Sequence, residues 1–504
     1  MLKPENHFHR LLLFVIAVQG CLLMAGLQSK SFTADECYEL RHLSLNPITI
    51  AHDGDGFPPL FRWLLSVSIL VTGEPLSRVM PMLTSLLGTW VVAITGKRIA
   101  GSRGGLTGAV FFAFSACQLE YAQQLRAYSL YILAVACMLW AFFSLVYEWK
   151  SRHWIGFVLF TTLALQTHYF ASLLAIVLWG TLGLVLLRTR LFASASLQPE
   201  GCSMQKLFLA GIACAVLSVP SLYSLRIDMA QPPPAEVVNP VDLTSVAYLY
   251  LSLAQGWCVG PSSIELQTLP FWDALNQIAP WAIISFGISA GLLLVVFRHT
   301  SSLEKWVLFG LLTVPTVIAI MLSYGLGFSF VSRYLAGLIV PVALIVGAAF
   351  APPNKPLLSL GLAVLLTING LSFYNRNWNP RYDRENYRAI VDEISQTDNS
   401  PRVLVLSHYV SHALRKAAPE DWDIVPVPFY SDDPQNSVVS DVASDGNQFA
   451  GSWVVAEWFP PDSELAQKRE RELERLNAIS ISKACSNMEL FQVRPVNSKQ
   501  AETP

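Results

Sequence analysis

The stretch LLLFVIAVQGCLLMAGL, Leu11–Leu27, and the polar segment after it with the pair Asp35-Glu36 decide how the chain reads. Lys3 and Arg10 precede the run and many further apolar runs follow it. That pattern predicts an uncleaved anchor helix, since the run is longer than the core of a signal peptide. Acidic side chains are costly in lipid and often mark function there. A carboxylate pair directly outside a span is therefore either part of a site or an ordinary solvated loop.

Composition extends this reading to the whole chain. Of 504 residues, 53% are hydrophobic and only 14% charged, and the formal net charge is −2. A soluble domain carries roughly 25% charged residues. The mean hydropathy is +0.43, and many of the charges fall after Tyr374. The expected division is a membrane domain over residues 1–374 and a water-soluble domain over 375–504. Nothing in the charge balance points to nucleic acid. No metal-type cysteine spacing occurs. Cys37 and Cys258 fall in loops expected on one side of the membrane, where two free thiols are favoured over a bridge.

Further apolar runs are Val79–Ile94, Leu106–Cys117, Tyr128–Val146, Trp154–Leu165, Phe170–Leu187, Leu207–Leu225, Trp281–Phe297, Trp306–Leu322, Tyr334–Phe350 and Leu357–Phe373. Pro58–Val71 is apolar but short and carries Arg62. If it does not cross, Lys97, Arg98, Arg103, Lys150, Arg152, Arg188, Arg190, Arg298, Lys305 and Lys355 all share the side of Lys3 and Arg10, as the positive-inside rule requires. The expectation is a polytopic α-helical protein of the cell membrane with about eleven transmembrane helices and a re-entrant or interfacial helix. Its N-terminus is cytoplasmic and its small C-terminal α/β domain extracytoplasmic. In that domain Arg402–Leu406, Ile424–Val427, Trp453–Ala456, Ile479–Ser482 and Glu489–Val493 read as strands, with helices at His408–Lys416 and Ser463–Leu476.

This topology puts the chemistry on the outer face. The first outer loop, residues 29–77, holds Asp35, Glu36, Asp53 and Asp55. The outer turns hold Arg126, Tyr128, His168, Tyr169, Arg333 and Tyr334, and the long loop Arg226–Pro280, with Pro232-Pro233-Pro234, could serve as a lid. Transfer of a sugar from a lipid phosphate needs one carboxylate to deprotonate the acceptor hydroxyl and positive charge to stabilise the departing phosphate. Arg126 and Arg333 each read singly as snorkelling side chains. Their shared outward position, against the usual charge bias, favours phosphate contacts. A lone histidine at such a surface is more often a hydrogen-bonded residue than a ligand. Asp35, Glu36 and His168 would suit a divalent cation, but a site without a tightly held metal is favoured.

In this order, Asp35-Glu36-Cys-Tyr, Phe57-Pro58-Pro59-Leu60, Tyr121–Leu130, Thr167-His168-Tyr169, Phe330–Leu335, Asn379-Pro and Glu385–Ile390 resemble the GT-C superfamily of integral-membrane glycosyltransferases. The branch in question holds protein O-mannosyltransferases, the lipid A aminoarabinose transferase and lipopolysaccharide-core galacturonosyltransferases. The resemblance covers roughly the first 390 residues. It implies an inverting hexosyl- or pentosyltransferase with a polyprenyl-phosphate sugar as donor and an extracytoplasmic lipid, glycan or protein as acceptor. Asp35 would be the catalytic base with Glu36 beside it, Arg126 and Arg333 would contact the donor phosphate, and Asp55, Tyr128, His168, Tyr169 and Tyr334 would line the substrate site. Phe57 stands where the family often has histidine, and Ala122 and Gln124 where it has serine and glutamate. The alternatives are a transporter or flippase of lipid-linked sugars and a non-catalytic membrane scaffold.

Overall fold

Among the described residues of a computed structural model of the chain, eight helices are long and apolar enough to cross a membrane, or nine if one bent pair is a single span. The structure describes residues 4–27, 31–46, 49–50, 57–192, 203–230, 241, 243–262, 265, 269–326, 331–352, 356–382, 385–398, 400–406, 408–427, 449–457, 464–485 and 488–494. Asp53, Asp55, Phe330 and Pro232-Pro233-Pro234 lie outside these residues. The protein is mostly helical and of the multi-pass class.

Among the described residues the count is lower than eleven for three reasons. Val79–Ile94 and Leu106–Cys117 are expected as separate spans, and they fall on the two arms of the stretch Val79–Phe114, which counts once among the eight. Its course reverses at Ala100–Gly101, where Gly101 takes φ 72° and ψ −179°, backbone that favours glycine. A Cβ added at Gly105 would lie 2.5 Å from the carbonyl oxygen of Ala93. In a straight helix those residues would be roughly 18 Å apart along the axis, so the segment is a tight hairpin. Trp154–Leu165 lies in the helix Ser151–Leu165, which has only 15 residues. Leu207–Leu225 falls on Met204–Leu217 and Val219–Ile227, which meet at 50°. Pro220, early in the second of these helices, explains the break, because proline is accepted in a first helical turn and not in a continuous interior.

The contacts divide the chain into two compact units. The first comprises Met1–Leu27, His42–Val259 and Ala279–Phe373. Its core centres on the helix Tyr128–Glu148, with Phe142, Phe143 and Phe157 fully buried. Small residues let backbones touch: a Cβ at Gly108 would sit 2.9 Å from Ala343 O, and one at Gly347 only 2.4 Å from Gly104 O. Buried amides join three helices, since Gln19 Nε2 and Gln118 Nε2 both donate to Ser85 Oγ, at 3.0 and 2.9 Å. The short apolar segment is a helix of 13 residues, Leu60–Thr72, stopped by Gly73 at φ 76°. At about 20 Å of rise it is too short to span.

The second unit comprises Gln28–Arg41, Gly260–Ile278 and Tyr374–Pro504. Its five-stranded sheet has the order β2-β1-β3-β5-β4, with β1 Arg402–Val405, β2 Asp423–Pro426, β3 Trp453–Glu457, β4 Ala478–Cys485 and β5 Met488–Val493. The β1–β2 and β1–β3 pairs are parallel, and β5 runs antiparallel to β3 and β4. Strand alternation splits the core into two layers. Val403, Val405 and Val455 face Tyr387, Ile390, Ile394, Val410 and Leu414, whereas Leu404, Leu406, Val454 and Phe491 face Leu473 and Leu476. Ala34 and Cys37 join the first layer, so the short helix Ala34–Arg41 packs on the sheet's helical side. Cys37 and Cys258 are both buried.

Candidate active site

In the first unit an aromatic cluster forms where three connections end. Residues 123–127 link the helices Ala116–Ala122 and Tyr128–Glu148, residues 166–170 link Ser151–Leu165 to Ala171–Phe192, and a 3-10 turn covers Ser332–Leu338. Connections of this kind leave backbone and polar side chains free of the helical ladder, which is why functional groups gather on them.

Arg126 is buried, and its guanidinium lies over the Phe57 ring, 4.9 Å from the centroid. The same ring meets His168 edge-on at 5.4 Å and Tyr128 at 6.0 Å. The departure at position 57 is thus used: a phenyl face holds the arginine by cation–π attraction. Tyr334 meets the His168 ring at 5.8 Å and Phe170 at 5.2 Å. Tyr131 stacks on His168 with centroids 4.7 Å apart and 21° between planes.

His168 is the hub. Its Nδ1 accepts the backbone N–H of Phe170 at 3.2 Å, so the ring proton resides on Nε2. Burial, and then the charges of Arg126 and Arg333, push its pKa down to about 3. The imidazole is therefore a neutral donor throughout the physiological range. Nε2 of His168 and the hydroxyl of Tyr131 are both buried with no hydrogen-bond partner among the described residues. Two guanidinium groups, an imidazole N–H and a phenol are the kinds of donor that suit an oxyanion.

The second unit holds the acids. Thr33-Ala-Asp-Glu36 is a capping box: the Thr33 N–H donates to Glu36 Oε2 at 2.9 Å, and the Glu36 N–H donates to Thr33 Oγ1 at 3.3 Å. Glu36 is buried in that role, whereas Asp35, on the first turn of the same helix, is half-buried. A third carboxyl, Glu385, accepts the Ala34 N–H at 2.8 Å and the Tyr387 hydroxyl at 3.3 Å. Ser31 ties the same place together, donating from Oγ to Glu385 O and accepting from the Tyr387 N–H. Burial, together with the charges of Asp35 and Glu457, raises the Glu385 pKa to about 7, against the pull of the Ala34 and Tyr387 hydrogen bonds.

Residues 57–223 match the sequence profile of the dolichyl-phosphate-mannose-protein mannosyltransferase family, a stretch that begins at Phe57 and includes Arg126 and His168. No curated protein sequence matches the chain significantly. Its fold is that of ArnT from Cupriavidus metallidurans in the apo state, with a TM-score of 0.54 and 15% identity over 95% of this chain and 97% of that one. The crystal structure of the same protein bound to undecaprenyl phosphate gives a TM-score of 0.55 and 14% identity, with 96% and 98% covered. The profile match covers about a third of the chain, and the fold over nearly its whole length is similar to that of ArnT.

Arg126, Tyr128, His168 and Tyr334 come together in the first unit, and the charge of Arg333 acts on His168 there. Tyr169 is half-buried beside them in sequence, and its carbonyl accepts the Ser172 hydroxyl at 2.7 Å. Asp35 and Glu36 belong to the second unit. Among the described residues no three His, Cys, Asp or Glu side chains converge as a metal-ligand set. Sequence reasoning missed two participants. Tyr131 is hidden inside an apolar run, and its one signal is spacing, a turn after Tyr128. Glu385 lies in a segment that stood out only through its resemblance.

Proposed function

We propose that the protein is an inverting glycosyltransferase that moves a sugar from a polyprenyl phosphate to an extracytoplasmic acceptor. The observation that carries this reading is the buried arginine–histidine–tyrosine cluster, a donor set for an oxyanion in a helical membrane fold. The similarity to the mannosyltransferase family and to a protein that binds undecaprenyl phosphate supports it.

The chemistry divides into two roles. On the acceptor side, the Asp35 carboxylate takes the proton of an attacking hydroxyl. The oxygen forms a bond to the anomeric carbon as the bond from that carbon to the phosphate oxygen breaks, so one displacement inverts the configuration. On the donor side, the leaving lipid phosphate gains a full negative charge. Arg126, Arg333 and the Nε2–H of His168 stabilise it, and no general acid is required. Two guanidinium groups supply the charge that a divalent ion would otherwise provide, so transfer is expected to survive EDTA. Activity lost in EDTA and restored by one divalent cation would contradict this.

The direct test uses purified, folded protein and a radiolabelled lipid-phosphate sugar. Asp35→Asn should lower transfer by about 10²–10⁴-fold, the usual worth of a general base. Full transfer by that variant would exclude Asp35 as the base. The same reading places the N-terminus in the cytoplasm and the C-terminal sheet outside. A cysteine introduced at Asn436 should be labelled by an impermeant reagent from outside, and one at Ser102 should not. Mass comparison of surface glycolipids and polymers between a deletion strain and its parent would identify sugar and acceptor.

A further inference from the structure

Glu385 has no part in the chemistry above, yet it stands at the start of the helix that carries Asp35. We propose that Glu385 is a positioning residue for Asp35, holding the N-terminus of its helix and tuning the basicity of its carboxylate by charge. The inference rests on the reading of Asp35 as the base.

The geometry gives the positioning half. Oε2 of Glu385 accepts the N–H of Ala34, the residue immediately before Asp35, at 2.8 Å. Ser31 bridges the Glu385 carbonyl and the Tyr387 N–H, at 3.3 and 3.2 Å, and Ala34 and Tyr387 share one core layer. Asp35 therefore cannot shift without breaking a bond to a segment some 350 residues later in the chain.

Charge gives the other half. The groups acting on the Glu385 carboxyl are Asp35 on the loop helix, Glu457 at the end of β3, the Tyr387 hydroxyl and the Ala34 N–H. Asp35 and Glu457 both carry negative charge and oppose its ionisation. The interaction is mutual, so an ionised Glu385 makes Asp35 a stronger base, and a protonated one makes it weaker. As pH falls through 7, the midpoint of Glu385, Asp35 loses that assistance. The acid limb of the transfer rate then belongs to the pair and not to Asp35 alone.

The test is the pH profile of Glu385→Gln beside wild type and Asp35→Asn. Glutamine keeps an oxygen for the Ala34 N–H and removes the charge. The acid limb should move to lower pH by about one unit, with the maximal rate reduced roughly 3–10-fold and the donor KM unchanged. Glu385→Ala, which also removes the hydrogen bond, should lose more. An unshifted limb in folded Glu385→Gln, with Asp35→Asn inactive, overturns the inference and leaves Asp35 as the base. Transfer retained by Asp35→Asn overturns both. A second measurement needs neither activity nor a Glu385 variant. The infrared carboxyl titration of wild type should contain a group with a midpoint near 7, and that midpoint should fall in Asp35→Asn. A midpoint that stays in place overturns the inference.

Discussion

The two units treat protons in opposite ways. In the first, the cluster's positive charge comes from arginines that never titrate, and burial keeps His168 neutral down to a pKa of about 3. In the second, Glu385 is held near 7, where small changes in pH alter its charge. On the proposed reading, a leaving phosphate is served by a field that stays constant, whereas a base is served by one that can be turned. The difference places whatever pH sensitivity transfer has in the acids and not in the arginines.

Among changes to the first unit, removing charge should have the largest effect. Arg126→Ala should cost about 10²–10³-fold in transfer, comparable with loss of one donor from an oxyanion hole. Arg126→Lys should recover little, because a lysine does not reproduce the planar group held over Phe57. Transfer by Arg126→Ala within a few fold of wild type would remove the cluster from the donor side.

The next effect is steric. A Cβ at Gly337 would lie 2.7 Å from the Tyr131 hydroxyl and 2.8 Å from its ring. Gly337→Ala should force Tyr131 off the His168 face and cost about 1–3 kcal/mol of stability, as overpacking usually does. Thermal unfolding and donor KM would read the two consequences separately, and an unchanged KM would show that Tyr131 is only packing.

Opposite proton behaviour also predicts opposite stability trends. His168 has a folded pKa below its usual 6.5, so its contribution is complete above 6.5 and is lost as pH falls towards 3. Glu385 has a folded pKa above its usual 4.5, so its contribution is complete below 4.5 and is lost as pH rises through 7. Between pH 6.5 and 4.5 the His168→Gln variant should therefore lose less Tm on acidification than wild type. Glu385→Gln should gain less over the same range. Parallel curves for wild type and either variant would refute that assignment.

The smallest effect separates two neighbours. Glu36→Gln keeps an oxygen for the Thr33 N–H, so transfer should stay near wild type while Asp35→Asn loses it. Thr33→Ala should cost about 1 kcal/mol through the lost cap. If Glu36→Gln were as inactive as Asp35→Asn, the capping account of Glu36 would fail.

Local patterns were legible in the sequence and long-range meetings were not. The strands Arg402–Val405 and Trp453–Glu457 follow from short, continuous runs rich in β-branched residues, because a sheet with helices on both faces buries both sides of its central strands. The Thr33-x-x-Glu36 spacing is itself a helix start, so the role of Glu36 was readable from four residues. The hairpin was half legible: charges at Lys97, Arg98 and Arg103 mark the turn, but Gly101 carries the reversal inside one helical segment. Tyr131 was masked because a tyrosine in an apolar run looks like core until its hydroxyl is found without a partner. Glu385 was masked by distance along the chain, since no local pattern links it to Ala34.

The reversal at Gly101 also bears on the order in which this protein can be assembled. Its two arms touch backbone to backbone as soon as both exist, for Gly96 and Gly105 need no other partner. The outer glycine face, Gly104 and Gly108, fits against Gly347 and Ala343, which leave the ribosome long afterwards. The early hairpin is thus a lock waiting for a key encoded near the end of the first unit.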